Sequence, residues 1–306
     1  MARLFPKLAA VLAIFGLLCT SPDLSAQTEK TLRLHLNQGD VLHIQVRQDM
    51  DIAVEILPDQ PATEMKMIQE FRFRQEVQSV EADGTATVRH TIERVILEAK
   101  GAQEFSFKVD TEAEGEATGI AALVLPLLKT LKGMTFTTKT SPRGEIQQIE
   151  FSDELAKAIN ESEASPALKE VFSKDNLRNL VRQVSAVFPE QPVKKGDKWT
   201  YETEHSDAIS GRNQFLVECT YNGEKTLNEI PCDVILVKTT IKPADGVARV
   251  KFQKHESHGE LYFDAKSGLP VGGNLQHETV MRVNDMFNQT IRGKTTITVE
   301  REKNDG

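Results

Sequence analysis

The chain has 306 residues, of which 37 are lysine or arginine and 45 are aspartate or glutamate, and its formal net charge is -8. An acidic surface repels phosphate backbones, and the sequence has no basic cluster interleaved with aromatic residues, so composition argues against a nucleic-acid partner. The length suffices for one large all-β unit, or for two smaller ones, with a real hydrophobic core.

The first 26 residues have the pattern of a secretory signal peptide. Two basic residues precede an uncharged run from Leu8 to Leu18, and small residues favour cleavage between Ala26 and Gln27. A membrane-spanning helix needs about 20 apolar residues, which is far more than this run supplies. Acylation of Cys19 is disfavoured, because lipoprotein signals place a small residue before the cysteine and here it is a leucine. We therefore expect an exported chain, periplasmic or extracellular, whose mature part has no transmembrane segment.

Residues 27–151 are predicted to form a first β half. Alternating apolar and polar residues predict a hairpin over 31–46 that turns at Gly39-Asp40, followed by strands at 71–77, 86–97 and 104–111. The run 119–131 is apolar on most faces and contains Pro126, which indicates one or two helical turns packed on the sheet. Strands at 134–140 and 145–149, joined by a turn with proline and glycine, complete this half.

Residues 152–190 are predicted to be a helical connector. Capping residues favour helices that begin near 153, 165 and 175. Apolar residues over 177–187 keep helical spacing, and we expect this stripe to cover the sheet.

Residues 191–303 are predicted to form a second β half, followed by a short polar tail over 304–306. Strand patterns lie near 213–221, 232–241, 247–258, 273–283 and 290–301. The Gly196-Asp197 turn feeds an alternating strand as Gly39-Asp40 does, and 261–269 echoes 136–146. The echoes indicate a weak internal duplication, with independent but similar turns as the alternative.

These patterns together predict a mainly β fold of the α+β type. We expect a curved antiparallel sheet, or two related β halves, with the helical segment packed on the concave side. Trp199, the only tryptophan, is expected to anchor the core of the second half rather than to line a ligand cavity.

Two cysteines, Cys219 and Cys232, remain after removal of the signal peptide. They lie close in sequence, in neighbouring strand-like segments of an exported chain, which favours a structural disulfide. Its loop of about 14 residues would contribute roughly 3 kcal/mol in the loop-entropy treatment. The alternative is a pair of buried free thiols.

No motif in the sequence fixes a reaction. It has no nucleophile elbow and no phosphate-binding glycine loop, so we predict no catalytic, cofactor-binding or metal-binding residue and no cofactor. His255 and His258 are the closest approach to a metal motif. Their spacing within a predicted strand places them on opposite faces, which disfavours a shared metal ion.

Three stretches carry a resemblance to a known family: 188–199 with its Lys195-Gly196-Asp197-Lys198-Trp199 run, 133–149 with its Pro-Arg-Gly turn, and 259–268. On these residues the chain resembles an uncharacterised family of exported bacterial proteins, defined as a domain of unknown function. The resemblance implies a β-rich exported protein and transfers no site residue. In fold alone, the expected architecture is also similar to the half-barrels of periplasmic lipoprotein carriers.

The leading functional hypothesis is therefore non-enzymatic. We expect a soluble envelope protein that binds a hydrophobic or amphipathic ligand, such as a lipid, or another envelope component. The ligand would lie between sheet and helices, in a space lined by 119–131 and 177–187. The alternatives are a hydrolase with an unrecognised carboxylate or histidine site, and a purely structural or interaction protein.

Overall fold

A computed structural model describes residues 29–56, 61–102, 105–154, 186–207, 211–242 and 250–302, together with 157, 161 and 181. The predicted signal peptide, its cleavage site and the tail at 304–306 lie outside these residues. So does most of the predicted connector, although the described positions 153, 154, 157, 161 and 181 are helical. Within the described part of the chain, no helix has the length and apolar character needed to cross a membrane.

In the described residues, twelve strands form a single antiparallel sheet and one helix of appreciable length accompanies it. In chain order the elements are β1 (Val41–Glu55), β2 (Thr63–Val80), β3 (Ala86–Gly101), β4 (Ser106–Asp110), α1 (Ile120–Leu131), β5 (Thr135–Thr140), β6 (Ile146–Phe151), β7 (Lys198–Asp207), β8 (Gly211–Leu227), β9 (Ile230–Lys242), β10 (Val250–Asp264), β11 (Pro270–Val283) and β12 (Phe287–Arg301). Because the strands dominate the described chain and form one curved antiparallel sheet, the predicted mainly β fold is confirmed.

The strands follow the order β6-β5-β3-β2-β1-β12-β11-β10-β9-β8-β7, and β4 pairs with β3 beside β5. The two halves of the chain join where β1 pairs with β12, with Ile44 opposite Val299. Each half is a run of neighbouring antiparallel strands, and β12 is the strand of the second half that borders the first. Side chains alternate between two sides of this sheet. We call the side that bears Leu42, Ile44 and Val46, all buried, the core-facing side, and the opposite one the outer side.

The two Gly-Asp turns have the same hydrogen-bond pattern. In the first turn, the Gly39 N–H donates to the Val77 carbonyl and the Val77 N–H donates to the Asp40 carbonyl. In the second, Gly196, Tyr221 and Asp197 make the same two bonds, and all four distances are 2.8 to 3.0 Å. Both turns also feed equivalent strands, since β1 and β7 each stand at the same end of their half in the sheet order. The internal duplication stays a prediction, which this correspondence supports.

The predicted hairpin over 31–46 is wrong in its first arm. Its second arm lies within β1, but residues 31–37 form no strand. The reason is that β2 and β12 occupy both edges of β1, so the preceding segment has no edge to pair with. It instead passes over the core-facing side without regular secondary structure, with Leu32 in the main hydrophobic core.

Helix α1 is longer than the one or two turns predicted. Its buried side chains recur at helical spacing along one face: Ala121, Val124, Leu127, Leu128 and Leu131. Their burial outweighs the backbone hydrogen bond that Pro126 removes from the helix interior. Leu123 on the opposite face is 71% exposed.

The predicted disulfide is not present in the structure, which has two buried free thiols. β8 and β9 are neighbours as expected, but the register places Val237, not Cys232, opposite Cys219. Because residues 232 and 237 are five positions apart in one strand, the thiols point to opposite faces and lie about 16 Å apart along it. Burial raises the pKa of both thiols, that of Cys219 to about 12.

Candidate functional site

A cavity of about 110 Å³, partly open to solvent, lies on the core-facing side of the sheet. Its walls are mainly apolar and come from both halves of the chain: Leu42 and Ile44 of β1, Ile297 and Val299 of β12, and Phe263 of β10. The β1–β12 pairing brings these residues together, so the cavity lies where the two halves meet.

Residues 29–36, which we call the N-terminal strap, cover one side of the cavity. Leu34 and Leu36 line it, and the strap backbone is held from both halves. Leu34 N donates to Pro142 O at 2.7 Å in the β5–β6 turn, and His35 N donates to Ser267 O at 2.9 Å in the β10–β11 turn. The strap therefore spans the two turns that the sequence shows as echoes of each other.

The start of the strap is held by a partly buried group of one lysine and two carboxylates. Lys30 Nζ lies 2.8 Å from Asp233 Oδ1 and 2.8 Å from Glu224 Oε1, and the Asp233 side chain is only 4% exposed. Tyr221 OH donates to the same Asp233 oxygen at 2.8 Å. Further along the strap, Arg33 passes close to Gly268 of the β10–β11 turn. Gly268 has a positive φ of 67°, and a Cβ there would overlap the carbonyl oxygen of Arg33. Only glycine allows this close approach without strain.

The helical connector contributes to the cavity as predicted where it is described. Val181 and Ala186 line the cavity, whereas Val187 is described and does not line it. The other positions of the predicted stripe at 177–187 lie outside the described residues. The prediction that 119–131 lines this space is wrong. Helix α1 packs near β4, and its buried side chains fill the core instead.

One corner of the cavity is polar and is built from β2, β3 and β5. Gln75 and His90 lie directly opposite each other, and Thr138 and Thr140 follow on β5. His90 Nε2 is hydrogen-bonded to Thr138 Oγ1 at 2.9 Å, and its ring stacks on Phe136 with centroids 4.6 Å apart. Burial lowers the pKa of His90 to about 3, so the imidazole is neutral at pH 7.

Among the described lining residues one is a carboxylate, and it is already paired. Asp40 is 5% exposed, and its Oδ1 accepts from Arg301 at 2.7 Å while its Oδ2 accepts from the backbone N–H of Asn37 at 2.8 Å. Among the described residues that line the cavity, none is lysine or arginine. The described lining thus combines apolar walls with one neutral polar corner, and it contains no free cation.

The outer side of the sheet carries ion pairs instead. One example is His43, whose Nε2 and Nδ1 lie 2.8 Å from Glu302 and 2.9 Å from Glu93. Hydrogen bonds to Glu302 and Glu93 raise the pKa of His43 above its usual value, although burial opposes the shift.

An open groove of about 610 Å³ on this side contains acidic and basic side chains from both halves. Its Glu278 is hydrogen-bonded by Lys254 and Arg292, which lowers the pKa of Glu278. A general acid needs the opposite shift, so the groove does not favour the hydrolase alternative. In the part of the chain that is described, no three histidine, cysteine or acidic side chains are placed to share a metal ion.

The two histidines of the metal-like motif do not converge. His255 is half-buried and hydrogen-bonded through Nδ1 to Thr279 Oγ1 at 2.8 Å, while His258 is exposed and lines the outer groove. Burial lowers the pKa of His255 to about 4. Trp199 packs against the main core and donates from Nε1 to Val187 O at 2.7 Å, as its predicted anchoring role requires.

Sequence analysis did not single out the residues of the polar corner. The available signal was strand alternation, which places His90 on the same side of β3 as Val88 and Gln75 on the same side of β2 as Val77. A histidine and a glutamine on an otherwise apolar face indicate a buried polar site. Pairing of β2 with β3, which alternation alone does not provide, was needed to bring them together.

A family model described as "Family of unknown function (DUF6263)" matches residues 83–270, more than half of the chain. The chain belongs to the DUF6263 family. This confirms the expected resemblance to a β-rich family of unknown function. No curated protein matches the chain.

Three solved structures show low similarity to this DUF6263 protein. Lipovitellin, in a structure titled for its lipid–protein interactions, has a TM-score of 0.48 at 10% identity over 86% of this chain. The chain spans 25% of the lipovitellin chain. DynF from the dynemicin biosynthesis pathway of Micromonospora chersina has a TM-score of 0.23 at 6% identity, covering 89% of this chain and 86% of its own. A Bacteroides fragilis protein with a YmcC-like fold has a TM-score of 0.30 at 9% identity, covering 88% and 99%. With TM-scores this low, these similarities carry no argument about function.

Proposed function

We propose that this protein binds a compact hydrophobic or amphipathic ligand in the cavity beneath the N-terminal strap, as a non-enzymatic protein of the cell envelope. The observation that carries the proposal is the cavity itself, which has apolar walls from both halves of the chain and a single polar corner. Binding sites for small molecules typically combine an apolar lining with a few placed polar groups.

The volume limits the ligand. Sites for drug-sized molecules measure about 300–1,000 Å³, and an engineered cavity of about 150 Å³ accepts benzene. A cavity of about 110 Å³ therefore accommodates about four to six non-hydrogen atoms. This is a small molecule or the end of a longer apolar chain, not a whole lipid. At a ceiling of about 1.5 kcal/mol per non-hydrogen atom, small-molecule affinity is micromolar at best.

The proposed location outside the cytoplasm is supported by the signal-peptide pattern of residues 1–26. Cleavage after Ala26 would leave a new amino terminus close to Lys30, the residue that fixes the start of the strap. N-terminal sequencing of protein recovered from fractionated cells tests this. A chain that begins at Gln27 in the exported fraction supports export, and an uncleaved cytoplasmic chain contradicts it.

The binding proposal is tested with purified protein and small apolar probes, such as benzene and cyclopentane, by ligand-observed NMR. Val299→Phe places a ring in the cavity and should abolish probe binding at a stability cost of about 1–3 kcal/mol. Val80→Phe is the matched control, because Val80 is 38% exposed at the end of β2 and does not line the cavity. Absence of probe binding to the unmodified protein, or equal binding to Val299→Phe, contradicts the proposal.

A further inference from the structure

We infer that the cavity selects an uncharged ligand bearing a hydroxyl or carbonyl oxygen over a ligand bearing a carboxylate or phosphate. The inference rests on the proposed binding function and adds the chemical class of the ligand. It is carried by two features of the cavity wall, namely a polar corner with unused hydrogen-bonding atoms and the lack of a counter-charge.

The polar corner has hydrogen-bonding capacity to spare. Within the described part of the chain, the Gln75 side chain makes no hydrogen bond, and His90 makes one, through Nε2 to Thr138. Gln75 and His90 are opposite each other on the core-facing side, and both line the cavity. A ligand that enters the cavity therefore meets an amide, which can donate and accept, beside an imidazole with one nitrogen unused.

The corner is also electrically neutral. Burial keeps the His90 imidazole uncharged, and the charge of Asp40 is already matched by Arg301. No lysine or arginine is found among the described lining residues, so a buried carboxylate or phosphate would have no partner. An unpaired buried charge costs far more than a hydrogen bond to a neutral corner returns.

A hydroxyl or carbonyl oxygen fits this corner for a specific reason. A neutral imidazole presents a donor or an acceptor at Nδ1 according to its tautomer, and the Gln75 amide presents both. A hydroxyl can satisfy either arrangement, and a carbonyl can accept from the amide. The remainder of the ligand would contact the walls formed by Ile44, Val299 and Leu34.

The test compares probes in titrations at pH 7. Cyclopentane and cyclopentanol differ by one hydroxyl, while butanamide and butanoate have the same shape but differ in charge. Cyclopentanol should bind about two- to tenfold more tightly than cyclopentane, the value of one net hydrogen bond. Butanamide should bind on the order of a hundredfold more tightly than butanoate.

Two variants locate the effect. Gln75→Met and His90→Phe should each reduce the preference for cyclopentanol while leaving cyclopentane binding in place, and either variant alone suffices if the other does not fold. Gln147→Met is the control, because Gln147 is exposed on β6. Equal binding of cyclopentane and cyclopentanol, or of butanamide and butanoate, overturns the inference and leaves the proposed function intact. If cyclopentane and the other probes all fail to bind, the proposed function is wrong and the inference falls with it.

Discussion

Replacement of Lys30 by methionine tests whether the N-terminal strap is held by a buried charge pair. Asp233 is 4% exposed in its side chain and accepts hydrogen bonds from Lys30 and Tyr221, each at 2.8 Å. Removal of one partner from a buried ion pair costs about 3–5 kcal/mol, because it leaves a buried charge uncompensated. Tyr221 would remain, and the Lys30 side chain is 26% exposed, so water can partly replace it. We therefore expect Lys30→Met to lower the free energy of unfolding by about 2–3 kcal/mol.

The assay is equilibrium unfolding in urea, with Lys66→Met as the control. Lys66 lies 3.7 Å from Asp51, and the two side chains are 79% and 71% exposed, so its loss should cost less than about 0.5 kcal/mol. The double variant Lys30→Met/Asp233→Asn should recover part of the loss, since it removes the unpaired charge. A Lys30→Met protein as stable as Lys66→Met would refute this account of the strap.

Three further predictions follow from other parts of the structure. Gly268→Ala should lower the free energy of unfolding by about 2–5 kcal/mol, because Gly268 has a positive φ and the added Cβ would overlap the Arg33 carbonyl of the strap. Gly39→Ala, with no atom within 4 Å of the added Cβ, should cost only about 1–2 kcal/mol in the same urea assay. Glu302 and Glu93 raise the pKa of His43 in the folded state. The stabilisation that protonated His43 provides is therefore fully present below the usual histidine pKa, and it is lost as pH rises through the folded-state pKa. Between about pH 6 and about pH 8.5, the free energy of unfolding should therefore fall more for the unmodified protein than for His43→Gln. Alkylation of Cys219 and Cys232 should be slow in the folded protein, where both thiols are buried, and should proceed without reductant once the chain is unfolded. Unfolded protein that resists alkylation until a reductant is added would indicate a disulfide.

Strand positions were predictable because each strand is buried on one side. Apolar alternation locates part of β1 and β2 and most of β3, since a half-buried strand repeats every two residues. It misses the length of the first two, because β1 continues from the predicted end at 46 to Glu55 and β2 begins at Thr63 rather than at 71. The first arm of the predicted hairpin has the same alternation but forms the strap. Local pattern reports that a segment is extended and half-buried, and it does not report whether a sheet edge is free to receive it.

The site was less predictable than the fold because it depends on register. Cys219 and Cys232 lie in neighbouring strands, yet their positions along those strands separate them. Gln75 and His90 lie in neighbouring strands and meet, because the register places them directly opposite each other. Nothing in the local sequence distinguishes these two cases, since register is fixed by turns, bulges and packing over the whole sheet.

The central claim, that the cavity takes a ligand, is tested most directly by intermolecular nuclear Overhauser contacts between bound cyclopentane and labelled methyl groups. The account predicts contacts to methyls of Ile44 and Val299, which line the cavity. It predicts none to the methyls of Ile68, which line the outer groove. Contacts to Ile68 alone, or none to any methyl group at saturating probe, would contradict the claim.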